Sequence, residues 1–428
     1  MEIKKVLEKL WEHEPKLWNG SEEVSRKELG DNVDYFSLRQ IQSSILLFDP
    51  SFLPKNYSII KSIVGDSSKK WISKRGLSNF YEEEFKELEK YEKEDLIKSI
   101  FEEHQNEIFK RFGLGSIDIT EIQENQIKIR VDECVEAYKS SNIGHPICYN
   151  VTGILAGEIN ARFDGWDCFE KSCLANGDSY CEFILAPQEH IIRQIRSFLD
   201  LPTRGSLTLR GEITNMLSES ARKKDYSPIL EEMANYVLYL MKDLKSYTRP
   251  QLGTKINIKT LQQFYLAFFI EDFERGSEIL YGAGFEQGKR LGKMLSGIGF
   301  EEEMSLRNIL EKLYERLGLG LLRFRETETG YRAEVKECAL CSGLDLDKKI
   351  CFFNSGFFAG IVSTMENEKY HGSEEMCLGV PSNDLCIHKI TPVSKKQREK
   401  EEEETQEEEE TEEKEKDKKG GNKKLDEN

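Results

Sequence analysis

The sequence predicts an α+β fold in which two repeated units each form an antiparallel sheet covered by helices. The first observation is that all ten cysteines of the 428 residues lie in two windows, 134–181 and 338–386, whose residue types match. The second is that helical periodicity gives way to strand-like alternation in both halves. The third is an acidic C-terminal segment that cannot form a core, so both units lie upstream of it.

The repeat is defined by the spacing of one Cys, one Glu and two further Cys residues. The three steps are 22, 3 and 8 residues in the first copy and 23, 3 and 9 residues in the second. A Gly-x-x-Ala-Gly run follows the first Cys at the same distance in both copies. The matched residues are Cys148, Glu170, Cys173 and Cys181 in the first copy, and Cys351, Glu374, Cys377 and Cys386 in the second.

The chain begins with an amphipathic charged segment that predicts an N-terminal helix over 1–19. The first repeated domain is expected over 20–187. Its strands are predicted at 127–135 and 179–185, and the apolar segment 149–161 predicts a buried helix. We expect the small residues of this helix to let it approach the sheet closely.

A helical connector is expected over 188–245, where apolar residues recur at helical spacing. The second repeated domain is expected over 246–393. Its predicted helices are 270–295, 308–316 and 351–365, and its predicted strands are 320–325, 331–337 and 384–390.

The repeat also extends upstream of the cysteines. The run from Arg26 to Leu38 matches the run from Arg249 to Leu261, and Gly65 can be matched with Gly284. Each unit therefore spans roughly one ordinary domain.

A charged tail is expected to be disordered over 394–428. Residues 395–428 contain 15 acidic residues, 10 basic residues and a single hydrophobic residue. Such a segment buries too little apolar surface to offset its ordering entropy. A tail that docks on a basic partner is the alternative, and nothing in the sequence favours it.

The net charge of −17 argues against a protein that coats DNA or RNA, since neutralising phosphates requires surplus Lys and Arg. The charged N-terminal residues do not resemble a signal peptide. The apolar stretches, such as 264–270, are shorter than the roughly 20 residues that span a bilayer. We therefore expect a cytoplasmic protein with no nucleic-acid partner and no membrane span.

The two Cys/Glu sets are candidate metal sites, because clustered cysteines without a secretion signal favour metal binding over disulfides. Zinc accepts thiolates and carboxylates, and four protein ligands close a structural site, so metal catalysis is not expected. In each set we place the Glu and the next Cys on one turn, the last Cys on a strand and the first Cys at the start of the buried helix. The ion would staple these segments together, and its binding energy would be folding energy.

Other interpretations of the cysteines remain open. Free cysteines are often small buried hydrophobes, and disulfides would require an oxidising compartment. Cys134 and Cys338 also match between the copies, and we interpret them as core residues. Cys168 and Cys341 have no counterpart and are assigned no role.

The order of these motifs resembles the 4-vinyl-reductase (4VR) domain. It runs Glu-Cys, Cys-aromatic-x-x-x-Gly-x-x-Ala-Gly, Glu-x-x-Cys and a final Cys before a strand. The runs that begin at Arg249 and Arg275 resemble archaeal hydrocarbon-binding proteins of that group. The resemblance implies an α+β fold shared with TRAPP vesicle-tethering subunits, which often dimerise. It also implies zinc at the matched Cys/Glu positions, and hence two structural zinc ions per chain.

The resemblance further implies that the units sense a small molecule. A guest would sit between sheet and helices beside the metal loop, in a mostly apolar pocket. Candidate wall residues are Tyr149, Phe163 and Trp166 in the first unit, and Phe352, Phe357 and Phe358 in the second. Aromatic residues on a buried helix are also ordinary core residues. Relatives that sense aromatic compounds place an aromatic residue two positions before the Glu, where this chain has Cys168 and Gly372; a lipid or other apolar guest therefore remains open.

These features favour a non-enzymatic regulatory protein that binds or senses a small hydrophobic molecule through two zinc-stapled units. The alternative is an adaptor, similar to TRAPP subunits, that acts through contacts with a protein partner. An enzyme of tetrapyrrole reduction is disfavoured because we find no nucleotide motif and no acid–base pair. A DNA-binding regulator is disfavoured because 207–241 is not strongly basic. The two units are expected to pair as a pseudo-dimer within the chain or as a homodimer.

Overall fold

The chain is described from a computed structural model, which covers residues 3, 5, 26–78, 80–84, 87–140, 142–200, 212–226, 228–229, 248–297 and 305–394. Most of the predicted N-terminal helix over 1–19, parts of the predicted connector and the predicted disordered tail lie outside the described residues. Within this described part of the chain, no helix is both long enough and apolar enough to cross a membrane.

Unit one consists of a short strand, a layer of helices and a sheet, followed by two further helices. Its elements in order are β1 (Asn32–Asp34), α1 (Tyr35–Phe48), α2 (Leu53–Lys74), a wide helical turn (Phe80–Glu84), α3 (Lys90–Lys98), a second wide turn (Ser99–Gln105), α4 (Asn106–Phe112), β2 (Ser116–Gln123), β3 (Gln126–Asp132), α5 (Tyr149–Arg162), β4 (Trp166–Ser172), β5 (Cys181–Pro187), α6 (Gln188–Phe198) and α7 (Glu212–Arg222).

Unit two repeats this order with fewer helices among the described residues. Its elements are β6 (Lys255–Asn257), α8 (Ile258–Ala267), α9 (Phe273–Gly297), α10 (Leu306–Leu317), β7 (Leu321–Thr327), β8 (Gly330–Lys336), α11 (Phe352–Met365), β9 (Tyr370–Met376) and β10 (Cys386–Pro392).

Equivalent helices of the two units begin and end with equivalent capping residues. The side chains of Asp34 and Asn257 accept backbone N–H bonds at the starts of α1 and α8. Gly113 and Gly318 end α4 and α10 in the left-handed conformation, with φ of 72° and 71°. Local sequence therefore sets the same chain direction in both copies.

The two sheets have the same strand order and are antiparallel throughout. The order is β2-β3-β5-β4 in unit one and β7-β8-β10-β9 in unit two. The structure confirms the predicted α+β fold class. It also contains two strands, β4 and β9, that the sequence analysis missed.

The missed strands correct the predicted position of the site glutamates. Glu170 lies within β4 and Glu374 within β9, and each is followed three residues later by a Cys just beyond the strand. The glutamate and the cysteine are therefore not on one turn. Both strands lie at a sheet edge, where only one neighbour constrains the pattern, so polar residues interrupt the alternation that marks central strands.

Glycines on both sides hold the two long helices of unit two in close contact. Gly284 and Gly288 of α9 face α11, while Gly356 and Gly360 of α11 face α9. A Cβ added to Gly360 would lie 2.0 Å from the carbonyl oxygen of Phe285. The Gly-x-x-Ala-Gly run therefore packs a helix on a helix, and the expectation that it faces the sheet was wrong.

Unit one has a looser version of this crossing. Gly153 and Gly157 of α5 lie against the carbonyl oxygens of Tyr57 and Lys61 of α2, and added Cβ atoms would lie 2.8 and 2.7 Å from them. Only one of the two crossing helices brings a pair of glycines to this contact.

The upstream match between the copies also differs from the expected one. The first glycine of the run lies against the carbonyl oxygen of Tyr57 in unit one and of Tyr281 in unit two. These tyrosines are therefore equivalent, which aligns Gly65 with Lys289. The sequence match of Gly65 with Gly284 was wrong, because glycine identity was followed instead of the helix register.

The two units pair through their first strands. β1 and β6 form a two-stranded antiparallel sheet. Backbone bonds extend the pairing on both sides, from Tyr35 N to Thr254 O at 2.8 Å and from Ile258 N to Asp31 O at 2.9 Å. The chain thus contains the intramolecular pairing that was expected as one of two possible arrangements.

Two fully buried arginines make reciprocal bonds across this pairing. Arg249 donates from Nη1 to the carbonyl oxygen of Gly113 at 2.7 Å, and Arg26 donates from Nη1 to that of Gly318. Each arginine thereby satisfies the helix-ending turn of the other unit.

Glutamates beside these turns complete the exchange. Both carboxylate oxygens of Glu133 accept backbone N–H bonds, from Gln251 at 2.8 Å and Leu252 at 2.9 Å. Glu337 accepts in the same way from the backbone of residues 28 and 29, at 2.9 Å each. The interface therefore joins charged side chains to backbone groups, which fixes its geometry.

Gly360→Ala is expected to destabilise the chain by about 1–3 kcal/mol, because the added methyl group meets backbone that cannot move aside. Gly65→Ala is the matched control, since its Cβ would have no atom nearer than 3.5 Å. We expect that variant to be neutral or stabilising by up to about 1 kcal/mol, because Ala favours helix. Urea unfolding measures both; equal destabilisation would contradict the packing argument.

Arg249→Met is expected to lower the free energy of unfolding by about 3 kcal/mol, because buried carbonyl groups lose their donor. Arg26→Met should behave alike, given the reciprocal contacts. Arg249→Lys keeps the charge without the planar fork, and we expect it to recover only part of the loss. Chemical denaturation tests this, and wild-type stability in both Met variants would show that the buried arginines do not hold the units together.

Candidate metal centres

In unit one, four donors from separate segments meet in the core. Cys148 immediately precedes α5, Glu170 lies in β4, Cys173 follows β4 and Cys181 begins β5. The Sγ atom of Cys148 lies 3.7 Å from those of Cys173 and Cys181, which are 4.0 Å apart. One donor atom of each residue lies within 4.8 Å of the other three, and all four residues are buried.

Unit two brings together the equivalent set. The Sγ atom of Cys351 lies 4.0 Å from that of Cys377 and 3.8 Å from that of Cys386. A carboxylate oxygen of Glu374 completes a group whose donor atoms again lie within 4.8 Å of one another. Both sets that the spacing predicted are therefore assembled at the same place in the fold.

Each glutamate is hydrogen-bonded at one carboxylate oxygen. Oε2 of Glu170 accepts from Cys148 N at 2.9 Å, and Oε2 of Glu374 accepts from Cys351 N at 2.8 Å. Oε1 of each is buried, and no N–H or O–H donor among the described residues reaches it. Burial, reinforced by the nearby cysteine sulfurs, raises the pKa of both carboxyls well above the usual range. A cation at this point would supply the missing partner and restore the carboxylate form.

The donor set and its spacing fit zinc. A tetrahedral zinc ion with Zn–S bonds of about 2.3 Å places its sulfur ligands about 3.8 Å apart. The three sulfur separations in unit one are 3.7, 3.7 and 4.0 Å. Thiolates with one carboxylate are ligands that zinc accepts in closed structural sites. The two buried clusters can therefore each hold a metal ion.

Other cysteines lie closer to the clusters than the sequence suggested. Cys134 and Cys338 were interpreted as core residues, yet their sulfurs lie 3.5 Å from that of Cys148 and 3.8 Å from that of Cys351. Cys341, to which no role was assigned, lies 3.5 Å from Cys351. The Cys-x-x-Cys spacing of 338–341 was the available signal, but it has no counterpart in the first copy.

The three candidate wall residues of unit one do not share a pocket. Tyr149 lies beside the metal cluster, where its hydroxyl is 2.8 Å from Nε2 of His145. Phe163 and Trp166 lie at the other end of α5, and the Phe163 ring packs on Tyr81 with centroids 6.3 Å apart. The whole length of the helix separates the two groups.

The three candidates of unit two are also divided. Phe352 is partly buried and packs on Phe273, with ring centroids 5.9 Å apart. Phe357 and Phe358 are buried farther along α11, where both contact Tyr314 at centroid distances of 6.1 and 5.3 Å. Their roles as ligand walls stay predictions.

Two small cavities lie where the units meet. Each has a volume of about 10 Å³, which is room for about one water molecule. We call the first interface cavity one; its walls include Leu38, Glu136, Asn150, Ile154, Gln263 and Phe264. We call the second interface cavity two; its walls include Ser37, Gln40, Tyr314, Leu340, Phe353 and Phe357. The predicted wall residue Phe357 thus does line a cavity.

A larger cleft of about 800 Å³ opens on unit one, and its lining is mostly polar. Lys55, Lys61, Lys69, Asp66 and Asp164 contribute to it. None of the six predicted wall residues lies in this cleft, so its character differs from the apolar pocket that the sequence analysis expected.

Comparison with known families identifies part of the chain. The family model of the vinyl-4-reductase (4VR) domain matches residues 127–187, which include β3, α5, β4, β5 and the complete cluster of unit one. Residues 127–187 form a 4VR domain. The resemblance that the motifs indicated is thereby confirmed in this segment, and unit two has a sheet with the same strand order.

The chain with this 4VR domain is also similar to three uncharacterized proteins of Methanocaldococcus jannaschii. It is 24% identical to MJ0150 over 86 residues, 31% to MJ1642 over 113 residues and 26% to MJ0745 over 171 residues. These matches cover 20%, 26% and 40% of this chain. The chain spans half of MJ0150, 65% of MJ1642 and 84% of MJ0745.

Two solved structures are similar to parts of the chain. One is the phenol-responsive sensory domain of the transcription activator PoxR, at 13% identity and a TM-score of 0.29 over 39% of this chain and 91% of that domain. The other is a vinyl-4-reductase family protein from Methanocaldococcus jannaschii, at 17% identity and a TM-score of 0.27 over 40% of this chain and 98% of that protein.

Chelation of the purified chain is expected to lower its Tm on the order of 10 °C, because metal binding contributes directly to folding. Differential scanning calorimetry with and without re-added zinc measures this change. An unchanged Tm after verified metal removal would show that the clusters are stable without an ion.

Substitution within unit one tests the ligand set. Cys173→Ser is expected to remove one metal ion per chain. Cys168→Ser is the matched control, because Cys168 is buried in the same strand region but belongs to none of the described donor groups. Elemental analysis that finds equal metal loss in both variants, or in neither, would contradict this assignment.

Proposed function

We propose that the chain is a non-enzymatic protein that binds a small apolar molecule and responds to it, with zinc-stapled clusters fixing the binding walls. Structural zinc supplies a cross-link between strand and helix, and four protein ligands leave no open position on the ion. The ligands would be Cys148, Glu170, Cys173 and Cys181 in unit one, and Cys351, Glu374, Cys377 and Cys386 in unit two.

The observation that carries this proposal is the course of α11. Cys351 of the metal cluster immediately precedes this helix, and its first two turns place Phe353 and Phe357 in the wall of interface cavity two. The opposite wall comes from α1 of the other unit, through Ser37 and Gln40. Metal cluster, cavity wall and unit interface are thus parts of one continuous element.

The size of the cavity sets the nature of the guest and of the response. A volume of about 10 Å³ holds no organic molecule without movement of its walls. Binding of an apolar guest would therefore have to displace side chains at the unit interface. Such coupling between occupancy and packing is what a sensing protein requires.

The proposal predicts that toluene raises the Tm of the wild-type chain. At a concentration ten times its Kd the stabilisation is about 1.4 kcal/mol, or roughly 3–6 °C. Phe357→Trp fills interface cavity two and is expected to abolish the rise. Lys69→Ala alters the polar cleft of unit one and should leave the rise intact.

The same measurement distinguishes the alternative function. An adaptor that acts through protein contacts needs no guest, and the tight packing of both cavities is the observation that favours it. No toluene response in the wild type, together with no organic molecule in a solvent extract of the purified protein, would overturn ligand binding in favour of the adaptor.

A further inference from the structure

The cysteine cluster of unit two contains more donors than one metal ion uses. The sulfurs around Cys351 are those of Cys338, Cys341, Cys377 and Cys386, at 3.8, 3.5, 4.0 and 3.8 Å. A carboxylate oxygen of Glu374 belongs to the same cluster. One tetrahedral ion takes four ligands, so two of these donors are left over.

The donors divide into two overlapping groups of four. The first is the predicted set of Cys351, Glu374, Cys377 and Cys386. The second is formed by Cys338, Cys341, Cys351 and Cys386. In each group all four donor atoms lie within 4.8 Å of one another and all residues are buried. The sulfurs of Cys351 and Cys386 are common to both groups.

We propose that unit two binds two divalent ions of the zinc class, bridged by the thiolates of Cys351 and Cys386. Glu374 and Cys377 complete the first ion, and Cys338 and Cys341 complete the second. Two tetrahedral ions have eight ligand positions in total, and six donors fill them when two thiolates are shared. The proposal rests on the structural metal ion of the proposed function, because both ions share ligands.

Charge balance favours the second ion. One divalent ion with three thiolates and one carboxylate has a formal charge of −2. The thiolates of Cys338 and Cys341 add two negative charges, and a second divalent ion cancels them. Without that ion the same ionised cluster would carry −4 in a fully buried site, which is costly.

Two N–H donors point at the cluster sulfurs of unit two. Asn354 Nδ2 donates to Cys338 Sγ at 3.8 Å, and Leu378 N donates to Cys386 Sγ at 3.3 Å. The Tyr314 hydroxyl donates to Oδ1 of Asn354 at 3.2 Å, which turns the amide nitrogen toward the sulfur. Such donors stabilise metal-bound thiolates from outside the ligand set.

Unit one lacks the parts that are specific to the second ion. Ala137 occupies the position of Cys341, and Val151 occupies that of Asn354. Cys134 is present but would be one of only three sulfurs, with Cys148 and Cys181. The chain therefore contains its own reference, a unit with the same fold and one fewer thiol at this point.

The close spacing of the sulfurs also limits the chemistry. In a [4Fe–4S] cluster each cysteine binds a different iron, so the sulfurs lie farther apart than around a single ion. Here the sulfurs of Cys341 and Cys386 are 3.3 Å apart. The arrangement fits bridged mononuclear tetrahedra, and a disulfide is the remaining competitor.

Native mass spectrometry and elemental analysis of the 428-residue chain, purified without added metal, provide the count. We expect three zinc ions in the wild type and two in Cys341→Ala, which places the residue of unit one at this position. Cys173→Ser is expected to lose the single ion of unit one, and the double variant should retain one ion.

Cadmium-113 NMR of the cadmium-loaded wild type tests the bridge without relying on a variant. Two of three resonances should show cadmium–cadmium coupling through the shared sulfurs, and the third should be unsplit. Cys341→Ala should lose one resonance and the coupling.

Two zinc ions in the wild type, unchanged in Cys341→Ala, would overturn the second ion while leaving the structural ions in place. A wild-type mass lower by two hydrogens would do the same, because it would reveal a disulfide among these cysteines. Absence of all metal, with free thiols, would overturn both the second ion and the structural zinc of the proposed function.

Discussion

A buried glutamate in each unit imposes the constraint on which the rest of the structure depends. Glu170 and Glu374 each extend from an edge strand to the backbone N–H at the start of the buried helix. That single bond fixes the helix relative to the sheet and leaves one carboxylate oxygen facing the cysteines. A carboxylate without water around it needs either a proton or a cation. The thiol cluster, the edge strand and the helix start are therefore one electrostatic problem, which a metal ion solves in one place.

The helix fixed in this way also organises the interface. In unit two, α11 packs on α9 through glycines on both helices, and its first turns reach α1 of unit one. In unit one the equivalent crossing has only one paired set of glycines, so α5 and α2 sit less tightly. The reciprocal contacts of Arg26 and Arg249 then tie each unit to the turns that precede the other sheet. Rigidity thus passes from cluster to helix to partner unit through direct contacts.

The sequence predicted what depends on local chemistry and missed what depends on tertiary context. Repeated Cys and Glu spacing was sufficient to find both donor sets, because metal ligands must keep their order along the chain. The strands that carry the glutamates were missed, since edge strands have one neighbour and tolerate polar residues. Cys341 was missed because comparison of the repeats rewards residues that match. The aromatic candidates were scattered by the fold, because burial in a core and exposure to a cavity leave the same sequence pattern.

The two copies place buried charge at neighbouring positions for different purposes. In unit one, Glu136 accepts from Gln42 Nε2 at 3.1 Å, and burial raises the pKa of its carboxyl well above the usual range. In unit two, Leu340 stands at that position and Tyr265 replaces Gln42, so neutral groups do the same bonding. The next residue changes from Ala to Cys341. Unit one therefore uses an ionisable side chain to position the interface helix, whereas unit two removes that acid and gains a thiol. An acid beside a second anionic ligand would add repulsion, so the loss of one and the gain of the other are physically consistent.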